Sequence, residues 1–308
     1  MKTERFFLKS DFDSLPIGVL ISAPSKGRPE AVLQLSHGMC GCKERFIPFM
    51  EFMASNGVAC VANDHRGHGE SVRSVEDRGY MYEGGSRALV EDMAQLTGWI
   101  HHKLPGLPVF LLGHSMGSMA ARVYVQTHDR LIDGLIICGS PSWNPLSRFS
   151  YAMTGTISFL GAGRYRPVRL SGSMSDIFNR RFADEGPLAW TCSDPAVRHL
   201  FHEDPKCNFV FTVNGFHNLM WLMIMTYRHK DWKIANPDMP VIFLSGEDDP
   251  CMRSEYSFHE AAKDMYRHGY HNVSSSIYGG MRHEILNEKE KENVWTDILN
   301  FIKSNTIR

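Results

Sequence analysis

Five short apolar runs decide what this chain can fold into. Residues 31–35, 58–62, 109–112, 135–138 and 241–244 are apolar-rich, and most of these runs end at Gly, Ser or Asn. Runs this short and nearly continuous suit strands covered on both faces, as in a parallel sheet. Between them lie stretches with one apolar face. In residues 85–103, Leu89, Met93, Leu96 and Ile100 recur every three or four positions, and residues 115–127, 254–268 and 284–303 read the same way. Strand–helix alternation predicts an α/β fold with a mostly parallel central sheet flanked by helices. The first twenty residues read as an antiparallel hairpin turning near residues 13–16.

The rhythm breaks between residues 141 and 240, a stretch with several prolines, aromatic clusters and Arg164, Arg166 and Arg169. About a hundred residues between two strands of one sheet predict an insertion. The expected division is a core of residues 1–140 and 237–308 with a mostly helical cap of residues 141–236. These three arginines, with Arg180 and Arg181, are expected to be solvated.

Composition removes several classes of function. Lys plus Arg is 33 and Asp plus Glu is 34, a net charge of −1, so no basic excess is present to hold nucleic acid or an anionic membrane. The N-terminal apolar run of three residues is too short for a signal-peptide core. No stretch reaches the roughly 20 apolar residues of a membrane helix; residues 209–225 come nearest, but Asn214, Gly215, His217 and Asn218 interrupt them. Seven scattered cysteines, an odd number, argue against a disulfide framework and for a cytoplasmic protein. Cys40 and Cys42 form a C-x-C pair with no second pair at zinc spacing, so no metal site is expected.

The chemistry centres on Gly113-His114-Ser115-Met116-Gly117, a G-x-S-x-G motif between the run at 109–112 and the helical stretch that follows. That context predicts a nucleophile elbow, a sharp turn that lifts the Ser115 hydroxyl clear of its own backbone. Gly113 and Gly117 supply the room such a turn requires. A serine needs a base, and the base an orienting acid. Downstream, the strand ending at Gly246 runs into Glu247, Asp248 and Asp249, any of which fits as the acid. His283 follows the last predicted strand on a loop at the same sheet edge. His259 and His268 fall in a helix, His271 precedes a strand, and His199, His202, His217 and His229 lie in the insert, leaving His283 as the base. An oxyanion hole needs two backbone N–H groups. Met116 supplies one, and Met39 the other, with Gly38 letting the backbone turn toward the site. Asp64, Arg66 and His68, in a loop dense in charge and glycine, are expected to pair with one another and with backbone and so stiffen it.

Five segments together carry a resemblance: His37-Gly38, Asp64-x-Arg66-Gly67-His68-Gly69-x-Ser71, the Ser115 elbow, Gly246-x-x-Asp249-Pro250 and Arg282-His283-Glu284. In this order they resemble the α/β-hydrolases of the monoacylglycerol lipase, lysophospholipase and serine aminopeptidase group. The resemblance covers nearly the whole chain and is weakest in the insert. It implies Ser115 as nucleophile, Asp249 as acid, since the family acid falls three residues after the strand-ending glycine, and His283 as base. It implies no metal or organic cofactor. The expected partner is a small-molecule ester with an apolar acyl chain, such as a monoacylglycerol or lysophospholipid, with no nucleic acid and at most transient lipid-surface contact through the cap. Aromatic and methionine residues in 147–162 and 209–225 suit an acyl chain. Two other readings stand beside this one. An aminopeptidase of the proline-iminopeptidase type needs acids in the cap, which Asp184-Glu185 and Glu203-Asp204 offer, and a non-catalytic binding protein needs no triad at all.

Overall fold

Each of the five runs becomes a strand in the computed structural model, which describes residues 2–230 and 232–306. Met1, Asp231, Ile307 and Arg308, which belong to the expected domain ranges, lie outside the described residues. The N-terminal hairpin is β1 (Lys2–Lys9) and β2 (Pro16–Ala23), paired antiparallel from Lys2 opposite Ala23 to Lys9 opposite Pro16. Then follow β3 (Ala31–Ser36), α1 (Ile47–Ser55), β4 (Val58–Asn63), α2 (Gly85–Lys103), β5 (Val109–His114), α3 (Met116–His128) and β6 (Gly134–Cys138). Four helices occupy the long connection: α4 (Ser147–Ile157), α5 (Val168–Asn179), α6 (Pro195–Glu203) and α7 (Val213–Thr226). The chain returns through β7 (Val241–Gly246), α8 (Glu255–Arg267), β8 (Val273–Tyr278) and α9 (Lys291–Thr306).

The described strands form one sheet in the order β1-β2-β4-β3-β5-β6-β7-β8. From β4 to β8 every pairing is parallel, and β2 joins β4 antiparallel. Every residue of β3, β4 and β6 is buried. The two-residue period of a strand divides each run between two cores. Val32, Leu111 and Ile137 face one with Leu89 and Met93 of α2, Tyr124 of α3 and Phe258 of α8. Leu33, Leu112 and Ile136 face the other with Phe49 and Met53 of α1 and Trp295 and Ile298 of α9.

The last helix differs from its expected span. It begins at Lys291, and residues 284–290 are turns. Their polar side chains are committed elsewhere: Glu284 pairs with Arg45, and Glu288 accepts the backbone N–H of Arg282 at 3.0 Å and of Ser193 at 2.8 Å. The insert's two apolar stretches also diverge. In α7, Phe216, Leu219, Leu222 and Met223 are buried in the first core, whereas Phe149, Met153, Phe159 and Leu160, on and just after α4, remain exposed.

Candidate active site

Ser115 stands at the turn between β5 and α3 with φ 54° and ψ −118°, a left-handed φ that few non-glycine residues adopt. The surroundings hold it there. A side chain on Gly117 would press into the carbonyl oxygens of Ser36 and His37, and one on Gly113 into that of Gly117. The N-terminus of α3 therefore sits directly on the end of β3. Gly38, next along that loop, lies so close that a Cβ on it would be 3.0 Å from Cβ of Ser115. Among the described residues, neither the Met39 nor the Met116 N–H has an internal acceptor.

The ends of β7 and β8 bring two more groups to this turn. Ser115 Oγ and His283 Nε2 are 2.8 Å apart. On the other side of the ring, His283 Nδ1 is 3.0 Å from each carboxylate oxygen of Asp249. Asp249 is itself fixed by Cys251 N–H at 2.8 Å and the Ser245 hydroxyl at 3.3 Å. The two neighbouring acids point elsewhere: Glu247 accepts Gly280 N–H at 3.1 Å, and Asp248 pairs with Arg181 of the insert at 2.5 Å. The structure thus gathers Ser115, Asp249 and His283 and leaves Glu247 and Asp248 outside the group.

Electrostatics separates His283 from the other histidines at this edge. Burial drives His37 and His114 down to about 4 and His68 to about 3, and His65 well below its ordinary value. Burial presses on His283 as well, but the Asp249 carboxylate outweighs it and holds the imidazole well above its ordinary value. Asp249 shows the reciprocal: burial pushes it up, and the facing imidazole brings it below the usual carboxylate range. A charged imidazole is therefore favoured at this one position, and a hydroxyl made nucleophilic by proton transfer to Nε2 is what the arrangement can produce.

The loop after β4 shows the expected bonds to backbone but not the expected side-chain pairing. Asp64, Arg66 and His68 do not pair with one another through their side chains. Asp64 receives Lys43 Nζ at 2.6 Å and the Lys43 and Glu70 N–H groups at 2.8 Å each. Arg66 bridges Asp92 at 2.8 Å and Asp13 at 3.0 Å, and His68 Nδ1 meets the Arg66 carbonyl at 3.1 Å. The loop is stiffened by backbone bonds within it and by charged partners on other elements. Of the insert's arginines expected to be solvated, Arg164, Arg169, Arg180 and Arg181 are exposed, Arg164 while pairing with Asp77 at 2.5 Å, and Arg166 alone is half-buried, reaching the Val210 carbonyl.

Sequence reasoning missed three neighbours of the site. Trp190, from the insert, lies with its ring 5.1 Å from that of His283. Cys251 joins Asp249 and His283 in one buried group of metal-ligand type, in which Asp249 and His283 already bond to each other. His114 Nε2 contacts the His283 carbonyl at 3.1 Å. His114 and Cys251 stand one and two positions from recognised residues, which is a usable signal; nothing in the sequence marks Trp190.

A profile of the family described as serine aminopeptidase, S33, matches residues 27–290. A monoglyceride lipase homolog of monkeypox virus is 27% identical over 285 residues, covering 89% of this chain and 90% of its own. A monoacylglycerol lipase of Mycolicibacterium smegmatis is 24% identical over 287 residues, covering 90% of this chain and 89% of its own. Among solved structures, a highly thermostable carboxyl esterase from Bacillus coagulans in complex with glycerol superposes with a TM-score of 0.89 at 24% identity, covering 100% of both chains. The fold is that of the α/β-hydrolases.

Proposed function

This chain belongs to the serine aminopeptidase, S33, family, and on that premise we propose that it is a serine hydrolase cleaving carboxylic esters with an apolar acyl chain. It is related to monoglyceride lipases. The observation that carries the reading is the continuous contact from Ser115 Oγ through His283 to Asp249, at 2.8 and 3.0 Å. Ser115 attacks the ester carbonyl as His283 Nε2 takes its proton. The N–H groups of Met39 and Met116 hold the oxyanion, each worth about 3 kcal/mol in related sites. His283 returns the proton to the departing alcohol and then activates the water that frees the acid. Asp249 orients the ring and stabilises its charged form throughout.

In this reading residues 141–236 form a cap over a core of residues 1–140 and 237–308. Phe149, Met153, Phe159 and Leu160 give the cap an exposed apolar surface of the kind that accepts acyl chains, of a monoacylglycerol or lysophospholipid for example. The aminopeptidase alternative needs free carboxylates to hold an ammonium group. One acid of each candidate pair is engaged: Glu185 receives Arg282 at 2.5 Å, and Asp204 accepts Lys206 N–H at 2.8 Å. The test is kcat/KM for p-nitrophenyl acetate, butyrate, octanoate and laurate, a monoacylglycerol, and prolyl and alanyl β-naphthylamides. At about 0.8 kcal/mol per buried methylene, kcat/KM should rise to medium or longer chains with negligible amide turnover. A fluorophosphonate probe should label Ser115. Amide turnover matching the best ester, and abolished by blocking the α-amine, would replace the ester reading with the aminopeptidase.

A further inference from the structure

Two buried thiols outside the catalytic group meet across 165 residues of chain. Cys42 belongs to the loop after β3 that carries Met39, and Cys207 to the connection between α6 and α7. Their sulfurs are 3.6 Å apart, and the residues are 0% and 1% exposed. Asp204 Oδ2 lies 3.8 Å from Cys207 Sγ and 4.0 Å from Cys42 Sγ. The other oxygen of Asp204 accepts Lys206 N–H at 2.8 Å, which holds the carboxylate with Oδ2 turned toward the sulfurs. We infer that Cys42, Cys207 and Asp204 form a binding site for a thiophilic divalent metal ion of the Zn²⁺ type, with water as the fourth ligand.

The geometry and the donor set both point there. A tetrahedral zinc with Zn–S of about 2.3 Å and Zn–O of about 2.0 Å has S···S edges of about 3.8 Å and S···O edges of about 3.5 Å. The three measured separations approach these, and drawing the carboxylate inward by a few tenths of an ångström closes the difference. Two thiolates and a carboxylate carry three negative charges, so a divalent ion leaves one. The Arg45 guanidinium, which also pairs with Glu284, acts electrostatically on both sulfurs. Cys40, the other half of the C-x-C pair, is not involved; its thiol donates to the Phe209 carbonyl at 3.2 Å. Binding releases both thiol protons: M²⁺ + 2 RSH + RCOO⁻ gives M(SR)₂(OOCR)⁻ + 2 H⁺. The bound ion would tie the insert to the loop that carries Met39.

The test uses the full-length, thiol-reduced, metal-free protein titrated with Co²⁺ and then Zn²⁺. Thiolate-bound Co²⁺ gives an intense near-ultraviolet charge-transfer band. That separates this site from the two other ligand clusters among the described residues: His229–Asp264–His268 has no thiol, and Asp249–Cys251–His283 has one. We expect one Co²⁺ per chain with a band of two-thiolate intensity, displaced by Zn²⁺, with affinity rising about a hundredfold per pH unit because two protons leave. Cys42→Ala and Cys207→Ala should lose the band, and the zinc-induced rise in Tm with it. Asp204→Asn should keep the band and weaken binding, which preserves a test if the cysteine variants fail to fold. Cys251→Ala and His229→Ala should bind as the parent does. A missing band, or a band that follows Cys251, overturns the site. So does loss of two thiols to glutathione disulfide in a protein that takes up no metal, since the pair would then be a disulfide switch.

Discussion

Asp249→Asn is the substitution that most sharply tests the proposed Ser115–His283–Asp249 relay. The carboxylate faces His283 Nδ1 with both oxygens at 3.0 Å and accepts Cys251 N–H at 2.8 Å. Asparagine has nearly the same shape but only one acceptor oxygen, and the Cys251 N–H is a fixed donor that claims it. The new NH₂ group then faces Nδ1, which must become an acceptor, so the imidazole proton moves to Nε2. There it points at Ser115 Oγ, 2.8 Å away, and His283 can no longer take the serine proton. The same tautomer change in the chymotrypsin-type triad lowers kcat by about 10⁴, or about 5 kcal/mol of barrier at 1.36 kcal/mol per decade. Glu247→Gln and Asp248→Asn touch only a Gly280 N–H and an exposed Arg181, so each should change kcat by less than about tenfold. The assay is kcat and KM on p-nitrophenyl butyrate from pH 5 to 10, with circular dichroism to confirm the fold. In the parent, kcat/KM should climb with pH as His283 loses its proton, through an ionisation above the ordinary imidazole value of about 6.5, because Asp249 holds the charged form. In Asp249→Asn the residual activity should titrate at lower pH. A larger loss at Asp248 than at Asp249, or an unmoved pH profile, refutes the assignment.

Two further substitutions probe the surroundings. Met39→Pro deletes the proposed oxyanion donor and should lower kcat at least about 10²-fold, while Met39→Ala keeps the N–H and should change kcat modestly; equal, severe losses would give the role to the side chain. Lys43→Met strands the buried Asp64 carboxylate, now 2.6 Å from Lys43 Nζ. Removing one partner of such a pair typically destabilises by about 3–5 kcal/mol, which should lower Tm by on the order of 10 °C; a shift within about 1 °C would mean that Asp64 draws no net stability from Lys43.

Much of the sheet was legible because its physics is local. An apolar run buried on both faces needs no distant partner to be recognised, and β3, β4 and β6 are such runs. The elbow was legible for the same reason: Gly113, Ser115 and Gly117 lie within five residues, and their steric conflict involves the turn itself and the strand beside it. What failed was polar pairing at long range. Ile285 and Leu286 invite extending the helix N-terminally, yet Glu284 and Glu288 bond to Arg45 and Ser193, and the helix waits until Lys291. Asp64 took Lys43 rather than Arg66 because a carboxylate in a buried loop pairs with whichever cation the fold delivers.

The histidines show where local reading ends. The chain has 15, and chain order with loop position singled out His283. The structure packs His37, His65, His68 and His114 around the same sheet edge, so position near the serine does not by itself select a base. Burial alone would leave all five neutral and weakly basic, since a desolvated imidazolium is disfavoured. The difference at His283 is one carboxylate, 34 residues back in the chain and 3.0 Å away in space. Asp249 is buried to the same degree as His283, so the pair interacts with little screening by solvent, and the charge that burial opposes becomes the charge the site favours. A base of this kind belongs to two strand ends brought into register, here β7 and β8 with Gly246 opposite Tyr278. The sequence can name both residues, and only the sheet can set the distance on which their chemistry depends.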